Sequence, residues 1–192
     1  MDEISINQQK INFLYQSIFD SQTTIRAIDV KTGFLFIIIF IPLSEVKTIL
    51  EISKELTQVS SLYWLCIISV LLLWISSAIS LFSCSVSISN PKEHIKGPTP
   101  NGTFFTNSLY KFNFLDNFIN FPIKSRASIE EYVKQLPCSE ESFIKELSFE
   151  KMKLAYIRDI KIKRSSFSAL LSFCWVILGG ITWILFLLKV GF

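Results

Sequence analysis

The chain is 192 residues long, about one domain, yet half of it is hydrophobic and only 18% is charged, against about a quarter in soluble domains. Aromatics reach 14%, 18 of them Phe, and the formal net charge is only +3. This composition excludes an ordinary water-soluble globule and directs attention to where the apolar excess is concentrated.

The first 28 residues carry a helical period. Ile4, Ile11, Ile18 and Ile25 recur every seven residues with Leu14, Tyr15 and Ile28 beside them, while Gln8, Gln9, Lys10, Asn12, Gln16 and Asp20 fall elsewhere. Such a stripe is a seam for another helix, either the 140–164 segment of the same chain or a second subunit. Residues 1–30 are thus expected to form an amphipathic helix. Gly33 to Leu43 follows as an apolar run. A signal peptide is not expected there, because 32 mostly polar residues precede it and no small-x-small site follows. Extended from Thr32 to Leu50 it makes a span, kinked by Pro42, with Glu45 and Lys47 near an interface where long side chains snorkel. A re-entrant or interfacial helix is the alternative. The 44–60 stretch, with Lys47 and Lys54 among three Glu, is expected to be a loop.

Ser61 to Ile88 holds no charged residue and exceeds the roughly 20 residues that cross a hydrocarbon core about 30 Å thick. Within it Ser69, Ser76, Ser80, Ser83 and Ser87 share one helical face by steps of seven, four, three and four. A small polar stripe in hydrocarbon permits close helix approach and interhelical hydrogen bonds; in an oligomer it could instead line a pore. Both readings place the stripe against protein.

Asn90-Pro91 and Gly97 to Gly102 break the helical pattern, and aromatic-rich pieces run on to Pro122. Ser128-x-x-Glu131 reads as a capping box for a short helix stopping at Pro137. Ser139 with Glu140 and Glu141 opens another, and no Pro or Gly follows until Gly179. One continuous helix of roughly 75 Å is expected from there to Leu188. Ser165 to Leu188 is again free of charge and forms the last span, with Ser165, Ser168, Ser172, Gly179 and Thr182 repeating the polar theme.

Residues 89–164 hold 13 Lys/Arg against 9 Asp/Glu, so the positive-inside rule puts this segment and the N-terminus in the cytoplasm. Lys161, Lys163 and Arg164 directly before the last span suit anionic headgroups. Cys66, Cys84 and Cys174 fall in spans and Cys138 in the insert, with no disulfide framework. The expected architecture is an all-α integral membrane protein: an N-terminal cytoplasmic helix (1–30), transmembrane helices 1 and 2 (31–88), a helical cytoplasmic sensing insert (89–164) and transmembrane helix 3 (165–192).

Enzyme chemistry is not expected. The chain has one His, His94, which reads as a solvated loop residue, and lacks HExxH, GxSxG, a glycine-rich phosphate loop or a spaced Cys/His cluster. No cofactor is expected either.

Several stretches nevertheless resemble the transmembrane effectors of bacterial Pycsar and related antiphage signalling systems. These are Asp29-Val-Lys31-Thr-Gly33-Phe-Leu, Ser87-Ile-Ser-Asn90-Pro91, Phe104-Phe105 to Tyr110, Ser128-Ile-Glu-Glu-Tyr132, and Leu147 to Lys163. The resemblance implies a cytoplasmic domain that binds a cyclic nucleotide second messenger, and a homo-oligomer that permeabilises the inner membrane in abortive infection. Lipid bilayer and self are the other expected partners, and no nucleic acid polymer is. A phosphate needs cations or N–H donors and a base needs an aromatic face or an amide. The candidate ligand residues are therefore Asn101, Asn107, Tyr110 and Lys111 facing Tyr156 and Arg158, with Asp29 and Lys31 as the family-matched pair. A surface ion pair between Asp29 and Lys31, and an acid partner for Arg158, are the structural alternatives. A ligand-independent membrane toxin and a non-signalling subunit of a membrane complex are the alternative functions.

Overall fold

The computed structural model describes residues 5–59, 62–86, 91–97, 100, 110, 125 and 127–190. These are almost entirely helical: α1 (Ile6–Phe40), α2 (Val46–Val59), α3 (Leu62–Ser85), α4 (Ile129–Gln135) and α5 (Glu140–Val190), with 3-10 turns at Ile41–Glu45 and Pro91–His94. An isolated bridge between Tyr110 and Ser125 is the one extended pairing among the described residues. Ile6–Gln58, Tyr63–Ser85 and Glu140–Leu188 each contain a window long and apolar enough to cross a membrane. These three apolar helices suggest a membrane-embedded protein.

Contacts divide the chain into two units, Met1–Thr23 with Ser89–Ile157 and Thr24–Ile88 with Arg158–Phe192. Within α5 the division falls between Ile157 and Arg158, and beyond it Lys161 bonds to Asp29 and Arg164 to Ser83 of the same unit.

In the first unit part of the Ile stripe is covered within the chain, with Ile18 buried and Ile11 half-buried, and Ile4 lies outside the described residues. Ile18 and Ser21 of α1 are buried, Tyr15 meets Phe143 of α5 with ring centroids 6.3 Å apart, and Asn7 Nδ2 donates to Glu140 Oε2 at 2.8 Å. Lys151 Nζ lies 5.6 Å above the Phe13 ring. Helix α4 starts as its sequence dictates: Ser128 Oγ accepts from Glu131 N–H, and Glu131 Oε2 accepts from Ser128 N–H. Ser139 Oγ accepts from the Ser142 N–H at the start of α5. Gly97 sits at φ +115°, a left-handed conformation that glycine alone adopts readily, where the chain leaves the 3-10 turn. Lys145 bonds to Glu141 one turn away and holds its carboxyl below the usual range, by the hydrogen bond first and the charge second. A depressed acid contributes above its unfolded pKa and loses that contribution as pH falls; at full exposure it counts for little.

The second unit begins at Thr24 within α1. No break separates the amphipathic N-terminal stretch from the first apolar run, since nothing before Pro42 interrupts the ladder. Pro42 has no N–H to donate, and the α-helix gives way to 3-10 geometry at Ile41. The carbonyl of Ile39, left without a helical partner, accepts from Trp74 Nε1 of α3 at 2.7 Å. Residues 46–59 correct the expected loop: they form α2, because Ile49, Ile52 and Leu56 recur on one side, Lys47 and Glu51 stand one turn apart, and neither Gly nor Pro intervenes. Leu56 is buried and α2 packs on α3. Phe36 and Phe82 meet edge to face at 5.2 Å, as do Phe40 and Trp74 at 6.3 Å.

Trp74→Phe keeps the ring but orphans the Ile39 carbonyl, a loss of about 1–3 kcal/mol for a buried acceptor. The thermal midpoint of the detergent-purified chain is expected to fall for Trp74→Phe and to stay put for Trp64→Phe, whose ring is exposed.

Candidate functional site

In the second unit the usual distribution of polarity is inverted. Large apolar side chains such as Phe34, Ile37, Leu65, Leu72, Ile79, Leu170 and Phe173 point outward, whereas Thr32, Ser77, Ser80, Ser165, Ser168 and Ser172 are buried between α1, α3 and α5 beside Ile39, Leu81 and Cys84. Hydrocarbon accounts for the outside. The inside is a seam of small residues, which lets helix backbones approach and gives hydroxyls something to bond.

The bonds run in order along the seam. Lys161 of α5 forms an ion pair with Asp29 of α1, its own side chain only 13% exposed and that of Asp29 48%. Next, Thr32 Oγ1 lies 3.5 Å from Cys84 Sγ, and Arg164 Nη1 donates to the Ser83 carbonyl at 2.8 Å. Deeper still, the Ser80 and Ser168 hydroxyls share a buried hydrogen bond of 2.7 Å. Ser168 and Ser172 also donate to carbonyls one turn back on their own helix. Ser77 Oγ and Ser165 Oγ are buried with no hydrogen-bond partner among the described residues.

This redraws the serine stripe. Ser80 is buried and Ser83 half-buried with its hydroxyl on the Ser80 carbonyl, but Ser69 and Ser76 are exposed, so the whole stripe does not face protein within one chain. The protein-facing side of α3 runs instead through Ser77, Ser80, Leu81 and Cys84. Ser77 was missed because five serines at helical spacing drew the face one residue aside; its offsets of three and seven from Ser80 and Cys84 were the available signal. Ser87 lies outside the described residues.

The ligand candidates fare differently. Asp29 pairs with Lys161 on another helix, which replaces the expected surface pair with Lys31; Lys31 is exposed on α1. Arg158 binds the carboxylate of its neighbour Asp159 through Nε and Nη2, both at 2.9 Å. Tyr156 stacks on His94 at 4.8 Å and 19°, and Tyr110 is exposed beside its bridge to Ser125. Asn101, Asn107 and Lys111 lie outside the described residues. Of the basic cluster, Lys163 and Arg164 are exposed, Arg164 also donating to the Ser83 carbonyl, while Lys161 pairs with Asp29.

One further feature of the first unit escaped the sequence. Glu146, Glu150 and Lys153 are buried at steps of four and three on α5, with Glu150 and Lys153 ion-paired and Lys153 Nζ 5.4 Å from the Phe149 ring centroid. Elsewhere in this unit a shallow groove of about 420 Å³ lies between α1 and α5, lined by Ile6, Lys10, Phe13, Leu14 and Ile144 among others. Comparison with family models, curated proteins and solved structures gave no match.

Two outcomes test the ion pairs. Asp29→Asn strands a mostly buried ammonium, whereas Lys161→Met leaves a half-exposed carboxylate that water can solvate. Asp29→Asn is therefore expected to lower stability more, by about 1–3 kcal/mol, in unfolding of the detergent-purified protein. In the first unit Lys153→Met leaves the buried Glu150 carboxyl without its cation, at a cost of about 3–5 kcal/mol, and Glu150→Leu in the same chain should restore part of it. Limited proteolysis within residues 127–157 reads out both changes.

Proposed function

We propose that this chain is a membrane effector of antiphage defence: its 89–164 segment faces the cytoplasm and senses a cyclic nucleotide, and its apolar helices, as a homo-oligomer in the inner membrane, open the bilayer and stop the infected cell. The observation that carries the membrane half is the hydrogen-bonded polar seam buried between helices whose outer faces are apolar. Such hydroxyls pack helices together in lipid, and with an ion pair at the head of the same seam they also form the kind of polar line that water or ions can follow. Orientation rests on the surplus of four basic residues in 89–164. The Ser69 and Ser76 face, exposed in the single chain, offers hydroxyls to a second copy.

The sensing half rests on the sequence resemblance and on the stacked His94–Tyr156 pair, an aromatic surface of the kind a nucleobase uses. Covalent continuity of α1 and α5, each shared by both units, supplies a route from ligand to membrane.

The experiment is a growth and dye-uptake assay in cells expressing the chain with and without a panel of nucleotide cyclases, together with nucleotide binding to the purified protein. Dye uptake is expected only with a cyclase. Tyr156→Ala should weaken binding about tenfold or more, the loss of one stacked base. Uptake without any cyclase would identify a ligand-independent toxin, and no uptake with any cyclase would point to a non-signalling subunit. Only one crosslinked species, the monomer, in resting and triggered membranes would end the pore reading.

A further inference from the structure

The seam contains two hydroxyls that its own protein bonds do not use. Ser77 is 0% exposed and Ser165 is 3% exposed, and neither Oγ has a hydrogen-bond partner among the described residues. Serines in apolar helices ordinarily satisfy themselves by donating to a carbonyl one turn back, as Ser168 and Ser172 do at 2.9 and 2.8 Å. An unused hydroxyl in hydrocarbon costs free energy that packing alone does not return.

Register places both within one line of polar groups. In this unit α3 runs antiparallel to α5, since Ser83 meets Arg164 and Ser80 meets Ser168. Continuing that register sets Ser77 at the level of Ser172, one step beyond the Ser80–Ser168 bond. Ser165 lies one turn past Lys161, whose carbonyl faces Cys84 Sγ at 3.9 Å, and Cys84 touches Thr32. A buried water needs two to four polar partners; by register Ser172 is the polar residue nearest the level of Ser77, and the Lys161 carbonyl with the Cys84 thiol lies one turn before Ser165. From Lys161 to Ser172 the line advances eleven residues, about 16 Å, roughly half of a 30 Å hydrocarbon core.

We propose that Ser77 and Ser165 are water-binding residues of a half-length polar file, which starts at the Asp29–Lys161 ion pair and ends between Ser77 and Ser172. The ligand class is water, and the file is the resting-state segment of the permeation path on which the proposed function rests. It is wet at the ion-pair end and closed at the other, where Trp74 is bonded to the Ile39 carbonyl.

Cysteine accessibility in sealed vesicles of the full chain, without nucleotide, tests this. A thiol reacts as the thiolate, which forms only where water reaches it. With Cys66, Cys138 and Cys174 changed to Ala, native Cys84 already lies in the file and needs no new side chain there. With Cys84→Ser added, Ser77→Cys and Ser165→Cys probe the two sites, and lipid-facing Ile79→Cys and Leu170→Cys serve as controls at similar depth. A small hydrophilic methanethiosulfonate is expected to label Cys84, Ser77→Cys and Ser165→Cys about tenfold faster than the controls, and only from the side of Asp29. Labelling no faster than the controls, or equal labelling from both sides, overturns the file. If a serine variant misfolds, the Cys84 measurement decides alone. Because no nucleotide is present, failure here leaves the sensor reading standing, and failure of cyclase-dependent dye uptake leaves the file standing.

Discussion

The second unit depends on one constraint: between helices that hydrocarbon could cover equally well, apolar burial gains almost nothing, so association has to come from close approach and from polar bonds. Serine meets both needs with one side chain. At Ser80 and Ser168 the two backbones come near enough for hydroxyl to meet hydroxyl at 2.7 Å, and the same closeness lets Arg164 reach the Ser83 carbonyl. Bulkier residues on that face would hold the helices apart and leave these groups in lipid. The outward Leu, Ile and Phe residues follow from the same constraint, since nothing else is compatible with an acyl chain.

Polar groups in such surroundings are costly when unpaired, and the unit handles them in graded fashion. The full charges, Asp29 and Lys161, are at the end of the seam where half of the Asp29 side chain is open. Arg164, exposed and still charged, donates to a carbonyl, and the polar groups buried beyond it are neutral hydroxyls. Proline adds a further liability by removing a helical bond near Ile39, and Trp74 answers it with an indole N–H on the freed carbonyl. In the first unit, where α1 and α5 bring Tyr15 to Phe143, a buried Glu150–Lys153 pair follows the same logic. Removing both partners would cost little, while removing one would cost much.

Much of this was legible in the residues because it is local. The charge-free runs set the spans, Ser128-x-x-Glu131 set the start of α4, and the absence of Gly and Pro after Ser139 set the unbroken α5. The 44–60 stretch reads as a loop because alternating Glu and Lys mask the apolar side of α2, although its spacing is helical. The Ile stripe announced a seam without naming its partner, since a heptad pattern describes one surface and not what covers it.

What the sequence determined by itself was everything set by periodicity, capping and hydropathy: helical class, three membrane-length apolar helices and a face of serines. Tertiary structure alone decided which acid meets which base and which hydroxyls are used. Asp29 pairs with Lys161 rather than with nearby Lys31, and Ser77, not Ser76, faces inward, because these choices depend on the rotation of one helix against another. A turn of 100° per residue separates a buried hydroxyl from one in lipid. Neighbours in the chain constrain that rotation only weakly; the packing of α1, α3 and α5 fixes it.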